Sequence, residues 1–236
     1  MEHFFVVLGG MGTMATESFV HQLNNNTIAH QDQDYLNYLV VNHASVPDRT
    51  AYILDQSLDN PADYLLQDIQ QMEKLEPDFF VMTCNTAHYF YDLLQQATNI
   101  PIKHMPKITL EAVAKNAEGR QQRVMILATS GTIQSEVYTK EFAYYDNLEP
   151  VIPNDKLQDE VMTLIYQDIK ENNYLNLERM QNILQQSLED YDCQQVILGC
   201  TELSLMNDKY PLFDLPIVDA QLELVKNIIA EYKNKP

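Results

Sequence analysis

The chain has 236 residues, 45% of them hydrophobic and 21% charged, enough to bury the core of one large domain or two small ones. Its 34 acidic residues against 15 basic ones give a net charge of −19, which excludes a nucleic-acid-binding footprint and is otherwise read as solubility. The three cysteines are too few for a disulfide scaffold, no apolar run reaches the about 18 residues of a membrane span, and MEHFF runs into a first strand rather than a signal peptide, so a soluble cytoplasmic protein with reduced thiols is expected.

Apolar runs of strand length alternate along the chain with longer segments of helical period. They predict a strand over 3–8, a helix over 12–25, a strand over 35–42 and an amphipathic helix over 61–75 with Leu65, Ile69 and Met72 on one face. A strand over 79–83, a helix over 86–98, a short strand over 102–105, a helix over 108–117 and a strand over 123–128 follow. A long helix is expected over 155–171, an apolar run ends at Cys200, and a last strand and helix cover 215–218 and 220–232. This alternation predicts βαβ units and mainly parallel sheets, an α/β fold.

The chain also restates itself. VVLGGMGTM near the start aligns with MILATSGTI, their Gly-Thr pairs 119 positions apart, while Cys84 and Cys200 lie 116 apart. Two landmarks in the same order at nearly the same offset predict two pseudo-equivalent α/β domains, with parallel sheets flanked by helices and the active site in the cleft between them. The expected division is 1–105 plus 215–236 against 106–214, the last strand and helix returning to the first domain.

Cys84 (in FFVMTCNTAHYF) and Cys200 (in QQVILGCTELSL) each end an apolar run, at the strand tips where open α/β sheets bind ligands. A thiol between a strand end and a helix start lies near free backbone N–H groups, a setting that favours the thiolate. The bland reading of either cysteine alone is an inert buried thiol beside a helix cap; their matching offsets favour the reactive one. Cys193 has no counterpart and reads as structural. Cys84 and His88 are spaced i, i+4, but no CxxC or HxxxH pair supports a zinc site, so no metal is expected. Gly9, Gly10 and Gly12 fit neither the dinucleotide nor the P-loop glycine pattern. The chain has four arginines, and Arg49, in the turn Val46-Pro47-Asp48-Arg49-Thr50, offers a fork suited to a carboxylate. Lys170, near the end of the long helix, reads from spacing alone as helix-end decoration.

GGMG, VPDRT, CNTAH, ATSGT and GCTEL, in this order from residue 9 to about 205, resemble the motifs of the aspartate/glutamate racemase family. The GGMGT start and CTELS at the second cysteine are similar to the aspartate-racemase branch; cell-wall glutamate racemases typically carry a DSG-type start and CTHYP. Many relatives have Pro where this chain has Thr13. The resemblance implies a cofactor-independent isomerase that racemises an acidic amino acid, aspartate before glutamate, with Cys84 and Cys200 as the two bases. It further implies that Asn85, Thr86 and Thr201 hold the α-carboxylate, that Arg49 and Lys170 hold the side-chain carboxylate, and that Met11 and Thr129 line the substrate. Asp48 and Glu202 would orient the ammonium or the thiols, and the protein would be a homodimer. A maleate isomerase or hydantoin racemase chemistry, or a silent amino-acid-binding protein, are the alternatives.

Overall fold

The computed structural model describes residues 1–212 and 214–233. Its framework is two four-stranded parallel sheets. In the first, β1 (Phe4–Gly9), β2 (Asn37–Asn42), β3 (Phe80–Met82) and β4 (Ile102–Lys103) run in the order β2-β1-β3-β4. In the second, β5 (Gln122–Leu127), β6 (Leu148–Val151), β7 (Gln195–Leu198) and β8 (Ile217–Asp219) repeat that order as β6-β5-β7-β8. The duplication read from the sequence is therefore a duplication of topology. Strands β3 and β7 hold equivalent places, and Cys84 and Cys200 each lie two residues beyond the strand's last residue.

Among the described residues ten α-helices, with shorter 3-10 turns, join the strands: α1 (Thr13–Asn26), α2 (Arg49–Leu54), α3 (Pro61–Met72), α4 (Tyr91–Gln96), α5 (Met105–Ala117), α6 (Ser130–Gln134), α7 (Asp155–Met162), α8 (Leu177–Glu189), α9 (Thr201–Lys209) and α10 (Ala220–Lys233). Both faces of each sheet are covered, so the central strands read as continuous apolar runs rather than alternating ones. Successive residues still point to opposite sides. Phe5 and Val7 of β1, Val124 and Ile126 of β5 and Ile197 of β7 enter one central core with Phe19, Leu110, Val113, Leu224 and Ile228 of α1, α5 and α10. Phe4, Val6, Leu8 and Phe80 pack instead against Leu65 and Ile69 of α3. Met125, Leu127, Val196 and Leu198 pack against α7 and α8 through Leu157, Val161, Met180 and Ile183. Because the central core is shared by both sheets, their strand tips are held in fixed relation.

Several expectations shift. The strand expected at 215–218 to join the first domain instead lies at Ile217–Asp219 and pairs with β7. The matching edge of the first sheet is already taken by β4, so the strand completes the second sheet. Only α10 reaches back, Gln221 Nε2 donating to Gln22 Oε1 (3.2 Å) and Tyr232 OH to the His3 carbonyl (3.2 Å). The strand expected over 102–105 stops at Lys103, because His104 caps α5, accepting from Lys107 N–H (3.1 Å), and Pro106 occupies its first turn. The expected helix over 86–98 begins as a 3-10 turn, Thr86–Phe90. The long helix over 155–171 is α7 followed by a π-helix, Thr163–Glu171. Strand β6 and helix α8 escaped the sequence reading; Pro150 in β6 weakens its strand signal, which an edge strand tolerates. Among the described residues no helix is long and apolar enough to cross a membrane.

Candidate active site

The tips of β1, β3, β5 and β7 converge on a narrow, tightly closed cavity lined by both cysteines together with Met11, Arg49, Asn85, Tyr166, Thr201 and others. It adjoins a wider chamber of about 400 Å³ that opens outward, and Met11, Asp48, Arg49, Lys170 and Glu202 border both. Every residue singled out in the sequence for the site lies on the inner cavity: Cys84, Cys200, Met11, Arg49, Asn85, Thr86, Thr129, Thr201, Lys170, Asp48 and Glu202.

The first-domain wall is built by two loops. Gly10 has φ +88°, and a Cβ there would come within 2.5 Å of the His43 backbone, so only glycine permits this turn. The turn brings the Met11 carbonyl to Arg49, whose Nη2 donates to it at 2.6 Å. Nη1 donates to the carbonyls of Pro47 (3.0 Å) and Val46 (3.3 Å). The fork of Arg49, expected to face a carboxylate, is thus occupied by backbone, because the chain folds back on it within its own turn. Nε is buried and without a hydrogen-bond partner. Burial opposes the charge of Arg49, but the neighbouring Cys84 and Asp48 outweigh it and raise its pKa above the ordinary value. Asp48 caps α2 by accepting from Ala51 N–H (2.8 Å).

Cys84 and Asn85 follow β3. The Cys84 carbonyl is held by His88. Met105 N–H donates to His88 Nε2 (3.1 Å), so the ring proton sits on Nδ1 and donates to the Cys84 carbonyl (2.9 Å). Both ring nitrogens are engaged with backbone, which leaves His88 nothing to offer a metal; among the described residues no group of three or more His, Cys, Asp or Glu is arranged for one. Asn85 is oriented from the second domain: the hydroxyl of the fully buried Tyr138 donates to its Oδ1. Asn85 Nδ2 is left as a second buried donor without a partner. A buried unpaired donor costs about 1–3 kcal/mol. Both side chains line the cavity.

The second-domain wall carries Cys200, which precedes α9, with Thr201 and Glu202 in the first turn. The Cys200 thiol donates to Glu202 Oε2 (2.9 Å), and Lys170 Nζ lies 3.6 Å from Glu202 Oε1. A thiol at a helix start was expected to favour the thiolate. Here burial first, and then the Glu202 carboxylate, push the Cys200 pKa well above the ordinary value against the opposing charge of Lys170. Lys170 is likewise more than helix-end decoration. Burial opposes its charge, but Glu202 foremost, then Cys200, Tyr166 and Cys84, raise its pKa. Its ammonium lies 4.4 Å from the centre of the Tyr166 ring, within cation–π range.

Tyr166 was missed in the sequence. Its hydroxyl donates to Asp48 (3.1 Å), joining the two domains across the cavity, and burial above all pushes its pKa up to about 12. The signal available was its i, i+4 spacing from Lys170 on one helix. Thr50 and Thr132 were missed as well. Thr50 donates to Thr129 (3.0 Å), and Thr86 shares hydrogen bonds with Thr129 (3.0 Å) and Thr132 (2.8 Å), so four hydroxyls stitch the domains beneath the cavity. This close approach requires Gly131, where a Cβ would come within 2.8 Å of Thr50 Cα. Cys193 is buried elsewhere, its thiol pushed up to about 11 by burial.

This geometry coincides with a match to the family model for Asp/Glu/Hydantoin racemase over residues 8–228. The chain belongs to that family. It is an amino-acid racemase, an isomerase. It is 26% identical over 232 residues to the "Broad specificity amino-acid racemase RacX" of Bacillus subtilis (strain 168), covering 96% of each chain. Its fold is similar to that of Picrophilus torridus aspartate racemase (TM-score 0.79, 24% identity, 98% of each chain). The fold of Francisella tularensis glutamate racemase in complex with D-glutamate is also similar (TM-score 0.63, 18% identity, 97% of this chain and 80% of that one).

One consequence for stability concerns His88 in the racemase site. Burial first, and then His104, lower its pKa from 6.5 to about 4. The unfolded chain therefore binds this proton at a higher pH than the folded one, and stability falls as pH drops from about 6.5 to 4. The expected loss is on the order of 3 kcal/mol from this residue. Urea denaturation across that range should show a shallower acid dependence for His88→Gln than for the wild type.

Proposed function

We propose that the protein racemises an acidic amino acid, aspartate before glutamate, by proton transfer between two cysteines and without a cofactor. The observation that carries this reading is that both thiols line one narrow cavity together with the donor side chains of Arg49, Asn85, Thr86, Thr201 and Lys170. A carboxylate is the acceptor such donors suit.

In this reading the substrate α-carboxylate accepts from Asn85 Nδ2, with the Thr86 and Thr201 hydroxyls beside it. The side-chain carboxylate takes Arg49 Nε–H and the Lys170 ammonium. Met11 and Thr129 close the cavity around it. Asp48 and Glu202 supply the negative charge that the substrate ammonium needs, and Glu202 also aims the Cys200 thiol. Cys84, as thiolate, takes the α-proton: the C–H bond breaks and an S–H bond forms. Cys200, as thiol, gives its proton to the opposite face of the carbanion. The enzyme then holds a Cys84 thiol and a Cys200 thiolate, ready for the reverse reaction. An α-proton is far less acidic than a thiol of pKa about 8.5, so preorganised donors at the carboxylate must supply most of the stabilisation in a water-poor site.

The test is incubation of purified protein with L- and D-aspartate, then with both glutamates, without added pyridoxal phosphate, followed by chiral chromatography. Each aspartate enantiomer is expected to approach the racemic mixture. Absence of inversion for all four, beside a working control racemase, overturns the proposal.

A further inference from the structure

We propose that Tyr138, from the half of the chain that carries Cys200, is a positioning residue for racemisation. Its hydroxyl holds the Asn85 amide so that the N–H end serves the substrate α-carboxylate as negative charge builds there. This rests on the reading that the two cysteines act at one α-carbon and that Asn85 meets its carboxylate.

The turn after α6 takes Glu136 into the left-handed region (φ +58°) and leads into Tyr138, which is 1% exposed. A tyrosine buried this deeply needs a partner for its O–H. It has one in Oδ1 of Asn85, itself 2% exposed and 53 positions away in the chain. Room for the ring is made by Gly199 of the GCTEL motif, where a Cβ would stand 3.2 Å from Tyr138 Cε2 and 3.2 Å from Ala128 Cβ. The glycine before the second cysteine thus serves the aim of the residue after the first.

A primary amide has two ends, one donor and one acceptor, that hardly differ in shape. With Oδ1 taken by Tyr138, Asn85 presents its N–H end to the cavity it lines, and Nδ2 has no partner among the described residues. Without the hydroxyl the amide is free to flip, and its oxygen would then repel a carboxylate. The bond also strengthens when it is needed. As the α-proton leaves, negative charge spreads onto the carboxylate, the Asn85 N–H bond tightens, and the polarised Oδ1 draws harder on Tyr138. Preorganised donors of this kind act on the transition state more than on the bound substrate. Tyr138 keeps its proton throughout: burial above all holds its pKa far above the ordinary value, so the hydroxyl stays a donor across the working pH range.

Aspartate racemisation and urea unfolding are measured for the wild type, Tyr138→Phe, Asn85→Ala and the double variant. Tyr138→Phe is expected to lower kcat roughly tenfold to a hundredfold, the range of a hydrogen bond that serves a charged group, with KM changed far less. The limbs of its pH–rate profile should stay in place, because the lost hydroxyl does not titrate there. The deciding comparison is the double variant. In the Asn85→Ala background Tyr138→Phe should cost almost nothing further, since the residue it acts through is gone. A wild-type kcat in Tyr138→Phe overturns the proposal, and so does a loss that multiplies with that of Asn85→Ala. A displaced pH limb would make Tyr138 a proton carrier and overturn it too. So would a Tyr138→Phe variant that fails to fold, since the hydroxyl would then hold the structure rather than the amide. A wild type inert toward aspartate, or an Asn85→Ala variant as fast as the wild type, sinks the underlying reading instead.

Discussion

Cys84→Ser and Cys200→Ser each lower racemisation by at least about 10³-fold while leaving the fold intact. A serine hydroxyl does not ionise in the accessible range, and loss of a positioned acid or base costs about 10²–10⁴-fold. Both thiols are 5% exposed, and serine occupies nearly the same space, so a stability change within about 1 kcal/mol is expected. The two variants differ in what they keep. Cys200→Ser retains Cys84, which can remove the α-proton from the enantiomer that faces it and return a proton only to the same face. Cys84→Ser retains the opposite capability. Chiral assays combined with α-proton exchange by NMR should therefore show inversion lost in both, with any residual exchange confined to opposite enantiomers. Turnover near the wild-type rate in either variant removes that cysteine from the mechanism.

Glu202→Gln slows the reaction and moves its pH dependence toward acid. The carboxylate accepts the Cys200 S–H bond at 2.9 Å, and its charge is the second contribution, after burial, to the raised pKa of that thiol. The amide keeps an acceptor but removes the charge, so the Cys200 pKa falls while burial still holds it up. In the direction that uses Cys200 as the acid, the alkaline limb of the pH–rate profile should shift to lower pH. A hydrogen bond to a charged group is worth about 1.5–3 kcal/mol, so kcat should drop roughly tenfold to a hundredfold. The same change has a stability signature. In the wild type the unfolded thiol loses its proton near pH 8.5 while the folded one retains it, so stability falls as pH rises past that point. The fall should be gentler in Glu202→Gln. An alkaline limb that stays in place would mean that the Glu202 contact does not govern the titration of Cys200.

What could be read in the sequence is what local patterns encode. An apolar run of strand length followed by a polar residue places that residue at a strand tip, and this is why Cys84, Cys200, Asn85 and Thr201 were legible. The repeat of strand, turn and Gly-Thr in the two halves made the matching sheets legible as well. The rest depends on contacts that close over long separations. The Arg49 fork is spent on carbonyls because Gly10 turns tightly against the His43 backbone, and an arginine in a turn gives no sign of that. Asn85 is aimed by Tyr138 and Asp48 is held by Tyr166, two tyrosines from the other half of the chain whose apolar neighbours make them look like ordinary core. The high pKa of Cys200 was hidden because helix position argues for the thiolate, and it is burial first, and then the carboxylate two residues on, that reverses that. The last strand was assigned to the wrong sheet because an apolar triplet does not say which open edge it will fill.

The central claim is that one thiol removes the α-proton and the other delivers a solvent-derived one to the opposite face. The most direct measurement is conversion of L-aspartate in D2O, followed from the first turnovers by chiral separation and mass spectrometry. The account predicts D-aspartate carrying one deuterium at the α-carbon while the remaining L-aspartate is still protonated. Deuterium entering both enantiomers equally from the outset, or D-aspartate formed without deuterium, would contradict it.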